Sequence, residues 1–379
     1  MKILHLNYLP SAIVLKDKKI KDLAEAARRS HQDLEFVILN GSVNKTESNL
    51  KYIKIEFPDN KWLRVLAQKL LRYHYISKYV DFSKYERIIL RYPLAFGLGL
   101  TKFYRKNGDK LYTEHHTNEG AEIRKIGSVR LIGKILAWYE NYKKGQILGS
   151  CRGIIGVTDE IREHESSFSP DRPSHTMSNG INVQAMKISK QRTRNDNSIN
   201  IIFIAARFAP WHGLDYAING LRDYTGDTAI TLHIVGNITK LSNLTELKNA
   251  PDHVNLELHD ELHGELLDQL FDRMDLGISS LGIHRVGLHE ASVLKTREYL
   301  SRSIPFVYGY KDSDLTGEEP FAHQVDMRSK QALDFDEIVR FDRAMKSEPD
   351  LKHRMRTEAL EKIDWRSKLD KLVEFIEKN

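Results

Sequence analysis

The chain has 379 residues, of which 41% are hydrophobic and 29% charged, with a net charge of +6. That balance excludes an extended disordered chain, and the length suffices for two domains of ordinary size. The single cysteine, Cys151, rules out a disulfide framework within one chain and points to a reducing compartment.

The chain holds no run of about 18 apolar residues, so no transmembrane helix is expected. The apolar opening stretch soon meets Lys16, Asp17, Lys18 and Lys19, which reads as a first strand rather than a secretory leader. The positive charge is uneven. Residues 1–185 carry 31 Lys and Arg against 20 Asp and Glu, and residues 186–379 carry 27 against 32. A basic half joined to an acidic half implies two halves with different partners, and the basic one suits an anionic acceptor, lipid or nucleic acid.

In chain order, KILHLNYL is a predicted strand, followed by a helical stretch through KKIKDLAEAARR. LEFVILN, ERIILRYP, KLYTEHH and RGIIGVT are further apolar runs of strand length, separated by helical segments. That alternation predicts a doubly wound parallel sheet. After Asn182, the polar stretch QAMKISKQRTRNDNSIN lacks periodicity and reads as a linker. A second series then begins with INIIFIAARF and continues through TLHIVGN, VNLELH, DLGISSL and IPFVYGY. The expected fold class is α/β. Its two Rossmann-like domains cover residues 1–185 and 186–362, and an amphipathic closing helix over 363–379 packs back across them. Ligands of such sheets bind at the carboxyl ends of the strands.

Two segments of the first half are basic and amphipathic. KWLRVLAQKLLRYHYISKYV, residues 61–80, has five Lys or Arg, no acid, and a stripe of Trp62, Leu63, Leu66, Leu70 and Leu71. The stripe suits either the domain core or an anionic membrane surface. RKIGSVRLIGKILAWYENYKK, residues 124–144, repeats the theme.

Neither GxGxxG after the first strand nor GxxxxGK[ST] is present, which argues against an ordinary NAD-binding domain and a P-loop NTPase. The second half instead carries Arg207 after its first strand, His212-Gly213 five residues on, Gly236 ending the next strand, and HEASVLKTREYL ahead of IPFVYG. In this last stretch Glu290 and Glu298 have seven residues between them. Together these features resemble the retaining nucleotide-sugar glycosyltransferases of the GT-B architecture, family four, over most of residues 150–310. His212 departs from that family's usual lysine, and the family's glycine-rich first loop is missing from Pro10 to Lys19.

The resemblance implies a donor site, and the chemistry suits the residues. A departing nucleoside diphosphate needs positive charge and N–H donors where negative charge develops. Arg207 offers a planar fork for phosphate. His212, Lys295 and the backbone N–H groups of Ala291, Ser292 and Val293 before a helix would add to it. Glu298 would take the ribose hydroxyls, and Glu290 the hydroxyls of the transferred sugar. In the first half, Glu114, His115 and His116 end a strand. Successive side chains alternate in direction, so one histidine at most faces a ligand, and the resemblance puts His116 near the donor sugar.

The implied activity is metal-independent, with no cofactor beyond a UDP- or GDP-type co-substrate, because basic residues can neutralise the diphosphate. Asp312-Ser313-Asp314 imitates a metal motif, and a zinc site at His115 and His116 lacks further ligands at a recognisable spacing. The expected partners are a nucleotide sugar and a glycan or polyprenyl-linked acceptor. The expected place is cytoplasmic, with peripheral contact at the inner membrane face, in surface polysaccharide synthesis. A sugar-nucleotide epimerase is the competing enzyme class. A nucleic-acid-binding module is the non-enzymatic reading, and no nucleic-acid motif supports it.

Overall fold

The computed structural model describes residues 1–10, 14–31, 33–125, 130–190, 197–237 and 251–379. Residues 11–13 of the first loop, 126–129 of the second basic segment and 191–196 of the linker lie outside the described residues. Contacts divide the chain into two compact units, Met1–Ser178 with Lys368–Asn379, and Asn179–Ser367.

The first unit is built on eight strands: β1 (Ile3–Leu9), β2 (Leu34–Asn40), β3 (Lys45–Glu47), β4 (Leu50–Lys54), β5 (Arg87–Arg91), β6 (Leu111–His115), β7 (Gly153–Gly156) and β8 (Ser174–Thr176). Their order is β3-β4-β2-β1-β5-β6-β7-β8, parallel except for the hairpin β3–β4. The inner strands are buried on both faces, which is why they read as continuous apolar runs. The order reverses between β1 and β5, so the switch point lies at their carboxyl ends.

The second unit has β9 (Ser198–Arg207), β10 (Ala229–Asn237), β11 (Val254–His259), β12 (Leu276–Ile278), β14 (Phe306–Tyr308) and β16 (Ala322–Gln324) in one parallel sheet. A separate parallel pair joins β13 (Glu290–Ala291) to β15 (Lys311–Asp312). The sheet order β11-β10-β9-β12-β14-β16 reverses between β9 and β12. One face of the sheet packs Ile201, Phe203, Leu232 and Ile234 into a core with the helix Leu214–Asp223. The other face packs Ile202, Val235, Phe271 and Tyr299. Alternation along β9 and β10 separates the two sets.

The 61–80 segment is two helices, Lys61–Leu70 and Arg72–Tyr79, broken at Leu71. Of its apolar stripe, Trp62 is 83% exposed and Leu63, Leu66 and Leu70 are exposed too, so that face does not serve the core. The part that reaches the core is Ala67 of the first helix, Leu71 at the break, and Tyr73, Tyr75 and Ile76 in the second helix. Among the described residues no helix is long and apolar enough to cross a membrane.

Gly236 has φ +140°, and a Cβ there would fall 1.7 Å from the Ala205 carbonyl oxygen. Only glycine lets β10 approach the end of β9 so closely, next to the register shift between Val235 and Asn237. Gly236→Ala should therefore lower stability by about 2–4 kcal/mol in urea unfolding. A change below about 0.5 kcal/mol would show that the backbone yields at this point.

Candidate functional site

In the second unit the loops after the central strands are stitched together by main-chain bonds. The amides of Leu281 and Gly282 donate to the carbonyls of His212 and Trp211 at 2.9 and 3.2 Å, and Gly309 N–H donates to Ser280 at 3.0 Å. Gly213, with φ +73°, allows the turn before the helix Leu214–Asp223, since a Cβ would meet the Leu281 Cβ at 2.8 Å. This places the His212-Gly213 turn at the switch point between β9 and β12. Arg207 ends β9 beside Asn237 of β10 and is exposed.

Lys295 lies in the first turn of the helix Leu294–Ser301. Its ammonium is buried without a hydrogen-bond partner among the described residues and lies 5.1 Å from the centre of the Phe203 ring. Burial pushes its pKa down to about 7. Burial, and then the charge of Lys295, push His212 down to about 3. His212 is thus a neutral imidazole at neutral pH. Its Nδ1 accepts from the Ala209 amide at 2.9 Å, so the remaining N–H is on Nε2.

Glu290 is 3% exposed on β13, with Lys311 Nζ at 3.8 Å. Ala291 completes that short strand, and Val293 is the N-cap of the helix. Ser292 is held from both sides by Asn179. Its Oγ accepts the Asn179 amide, and its carbonyl accepts from the Asn179 side chain, each at 2.7 Å. Glu298 is partly exposed. Its Oε1 accepts from Arg302 Nε at 3.1 Å, and Arg302 also donates to Asp268 at 2.7 Å.

Arg297 was not singled out from the sequence. It is fully buried, ion-paired to both Asp312 and Asp314, and donates to the Asn179 carbonyl at 3.0 Å. The two carboxylates of the Asp-Ser-Asp motif therefore meet a guanidinium. Ser279 Oγ bonds to Thr296 and Tyr310 at 3.0 and 3.2 Å, a buried strand-end contact.

In the first unit, alternation sends the two histidines of β6 and its end to opposite sides. His116 Nε2 is 3.1 Å from Glu114, and Glu114 is 3.2 Å from His5. Lys19 Nζ reaches His116 Nδ1 at 3.5 Å. Burial, and then the Lys19 charge, lower His116 to about 3, while burial lowers Lys19 to about 8 despite Glu114. Arg91 and Lys368 add positive charge around Lys19. His115 faces Glu119 at 3.2 Å and Glu165 at 3.5 Å on the other side, with Lys144 between those carboxylates.

Compared by sequence, the chain matches no known family and no curated protein. Compared by structure, it resembles a glycosyltransferase from Rickettsia africae over 100% of this chain and 98% of that one, at 14% identity and TM-score 0.62. The lipopolysaccharide outer core galactosyltransferase WaaB in its apo form matches over 100% of both chains, at 10% identity and TM-score 0.66. HepE of Anabaena, solved with UDP, matches over 100% of both, at 12% identity and TM-score 0.59. The chain has the two-unit α/β fold of these enzymes, the GT-B architecture expected from its sequence.

A lysine whose folded pKa lies near 7, against about 10.4 when unfolded, binds fewer protons in the folded state between those values. Its penalty on stability is full below pH 7 and disappears as pH rises towards 10. Lys295→Met should therefore stabilise the protein by about 1–3 kcal/mol at pH 7, with the gain shrinking towards pH 10 in urea unfolding. A gain that does not change with pH would mean that the ammonium is solvated.

Proposed function

We propose that the chain is a retaining, metal-independent glycosyltransferase. It moves a sugar from a UDP- or GDP-type donor to a glycan or lipid-linked acceptor in surface polysaccharide synthesis. The observation that carries this reading is the buried ammonium of Lys295, which meets the Phe203 ring of β9 and the His212 turn but no hydrogen-bond partner among the described residues. A cation desolvated without a counter-ion is unfavourable until an anion arrives. A diphosphate supplies one.

Arg207 then clamps phosphate oxygens as a fork, and neutral His212 donates from Nε2. The amides of Ala291, Ser292 and Val293 lead into the helix N-terminus that favours negative charge. Gly213 and Gly236 keep the backbone clear around the diphosphate. Glu298 accepts from the ribose hydroxyls and Glu290 from those of the sugar. In the first unit, His116 is oriented by Glu114 for a role near the transferred sugar. The solved pair of HepE with UDP supports a uridine donor, and the name of WaaB supports a lipopolysaccharide-type acceptor.

The acceptor reading extends to the membrane surface. The helix Lys61–Leu70 exposes Trp62 and its leucines beside Lys61, Arg64 and Lys69, with no acid. The exposed Leu98 donates its amide to the Leu70 carbonyl at 2.7 Å, and Phe96 stacks on Tyr139 at 5.7 Å. The helix Arg130–Leu148 adds exposed Ile135, Trp138 and Tyr142. These form one apolar and basic region of the first unit, suited to anionic lipid at the cytoplasmic face.

Melting the protein with UDP, GDP, ADP, CMP and their sugars in EDTA tests the donor. One nucleotide class should stabilise it, and Glu298→Ala should weaken that binding by roughly tenfold or more. Arg207→Ala should slow transfer by about 100-fold while weakening donor binding less. Unchanged kinetics in both variants would overturn the site, and stoichiometric UDP release without acceptor would indicate an epimerase. Trp62→Glu with Leu66→Glu should abolish binding to anionic vesicles in a flotation assay, and retained binding would exclude this helix as the contact.

A further inference from the structure

Apart from the donor residues, one cluster in the second unit has the composition and spacing of a metal centre. His233 lies on β10 and Glu257 directly opposite it on the edge strand β11, in register. His259, two residues along β11, shares a face with Glu257 by the strand's period of two. All three lie on the side of the sheet away from Leu232 and Ile234. His233 Nδ1 is 3.1 Å from His259 Nε2 and 3.2 Å from Glu257 Oε2, and that oxygen is 3.6 Å from His259 Nε2.

We propose that His233, Glu257 and His259 bind one divalent transition-metal ion, of which Zn²⁺ is the natural representative. In a tetrahedral site with metal–ligand bonds of about 2.0–2.2 Å, the ligand atoms are about 3.3–3.6 Å apart. The three separations of 3.1, 3.2 and 3.6 Å lie within about 0.2 Å of that range. Hydrogen bonding alone uses the triangle poorly. Neutral imidazoles bring at most one proton each to these ring nitrogens, and protons on both would oppose each other. A cation accepts all three lone pairs at once. Two neutral imidazoles and one carboxylate are a donor set for zinc, and a fourth position remains for water.

The other such cluster among the described residues is an informative comparison. His115, Glu119 and Glu165 also converge, but the Lys144 ammonium sits 2.9 Å from Glu119 and 2.8 Å from Glu165 and takes the cation's place. At His233 the competing cation among the described residues is Arg273, 3.7 Å from Glu257 Oε2 and 57% exposed. A guanidinium so far into solvent can swing aside. The bound ion would tie the edge strand β11 to β10 by side chains as well as by the ladder.

The experiment is titration of Zn²⁺ into the full chain after EDTA treatment and desalting, followed by calorimetry, with Co²⁺ absorption reporting tetrahedral coordination. One equivalent should bind at micromolar or tighter concentration, and Zn²⁺ should raise the melting temperature by about 3 °C or more. His259→Ala and Glu257→Gln should each weaken binding by at least roughly tenfold, with unchanged circular dichroism in EDTA. Arg273→Ala should retain it. His233 is fully buried, so the test does not depend on replacing it. If His259→Ala misfolds, Glu257→Gln at a half-exposed position decides. No tight equivalent in the unaltered protein, or the same equivalent in both ligand variants, would overturn the site. The readout is ion binding, so its outcome is separate from that of the transfer assay.

Discussion

Arg297 has no exposure to solvent, and its guanidinium meets Asp312, Asp314 and the Asn179 carbonyl together. Burying a guanidinium and two carboxylates is unfavourable unless each finds its partners, and removing one partner strands the others. The arrangement therefore holds as a unit. It fixes the helix Leu294–Ser301 against β15 and against the start of the second unit. β15 in turn pairs with β13, which carries Glu290. Lys295 and Glu298 flank Arg297 on the same helix. The positions of both glutamates and of Lys295 thus depend on one buried charge cluster, which also reaches the Val293 carbonyl.

Much of this was legible in the sequence, and the limits are physical. LEFVILN and VNLELH are β2 and β11 residue for residue, because runs of apolar and β-branched side chains bounded by polar ones have few other uses. β3, β8, β13, β15 and β16 are two or three residues long and carry no periodicity to detect. The histidine pair was legible only as a pair, since alternation gives opposite directions without saying which side is which. Arg297 reads as an ordinary helix-surface arginine until two aspartates 15 and 17 residues away fold over it. His212 carried the motif position but not the motif charge, because desolvation is a property of the folded surroundings.

The two sides of β6 show how one strand can serve two ends. On one side His115, Glu119, Glu165 and Lys144 form one buried ion-pair network, and Tyr92 stacks on His115 at 4.5 Å. That network is architecture. On the other side Glu114 links His5 and His116, with Lys19 beyond and Arg91 and Lys368 around it.

The first unit is discontinuous in the chain, since Lys368–Asn379 belongs to it while Asn179–Ser367 does not. Leu369, Leu372 and Ile376 are buried there, and the Phe375 ring lies against Tyr112 and His175. During synthesis on a ribosome this unit cannot close when its first 178 residues have emerged. The seat around Tyr112 and His175 stays uncovered while the whole second unit is made, roughly 10–40 s at about 5–20 residues per second. The order of events is then set by the chain's direction. The unit made last is the first able to finish folding, and the unit made first waits for the final helix.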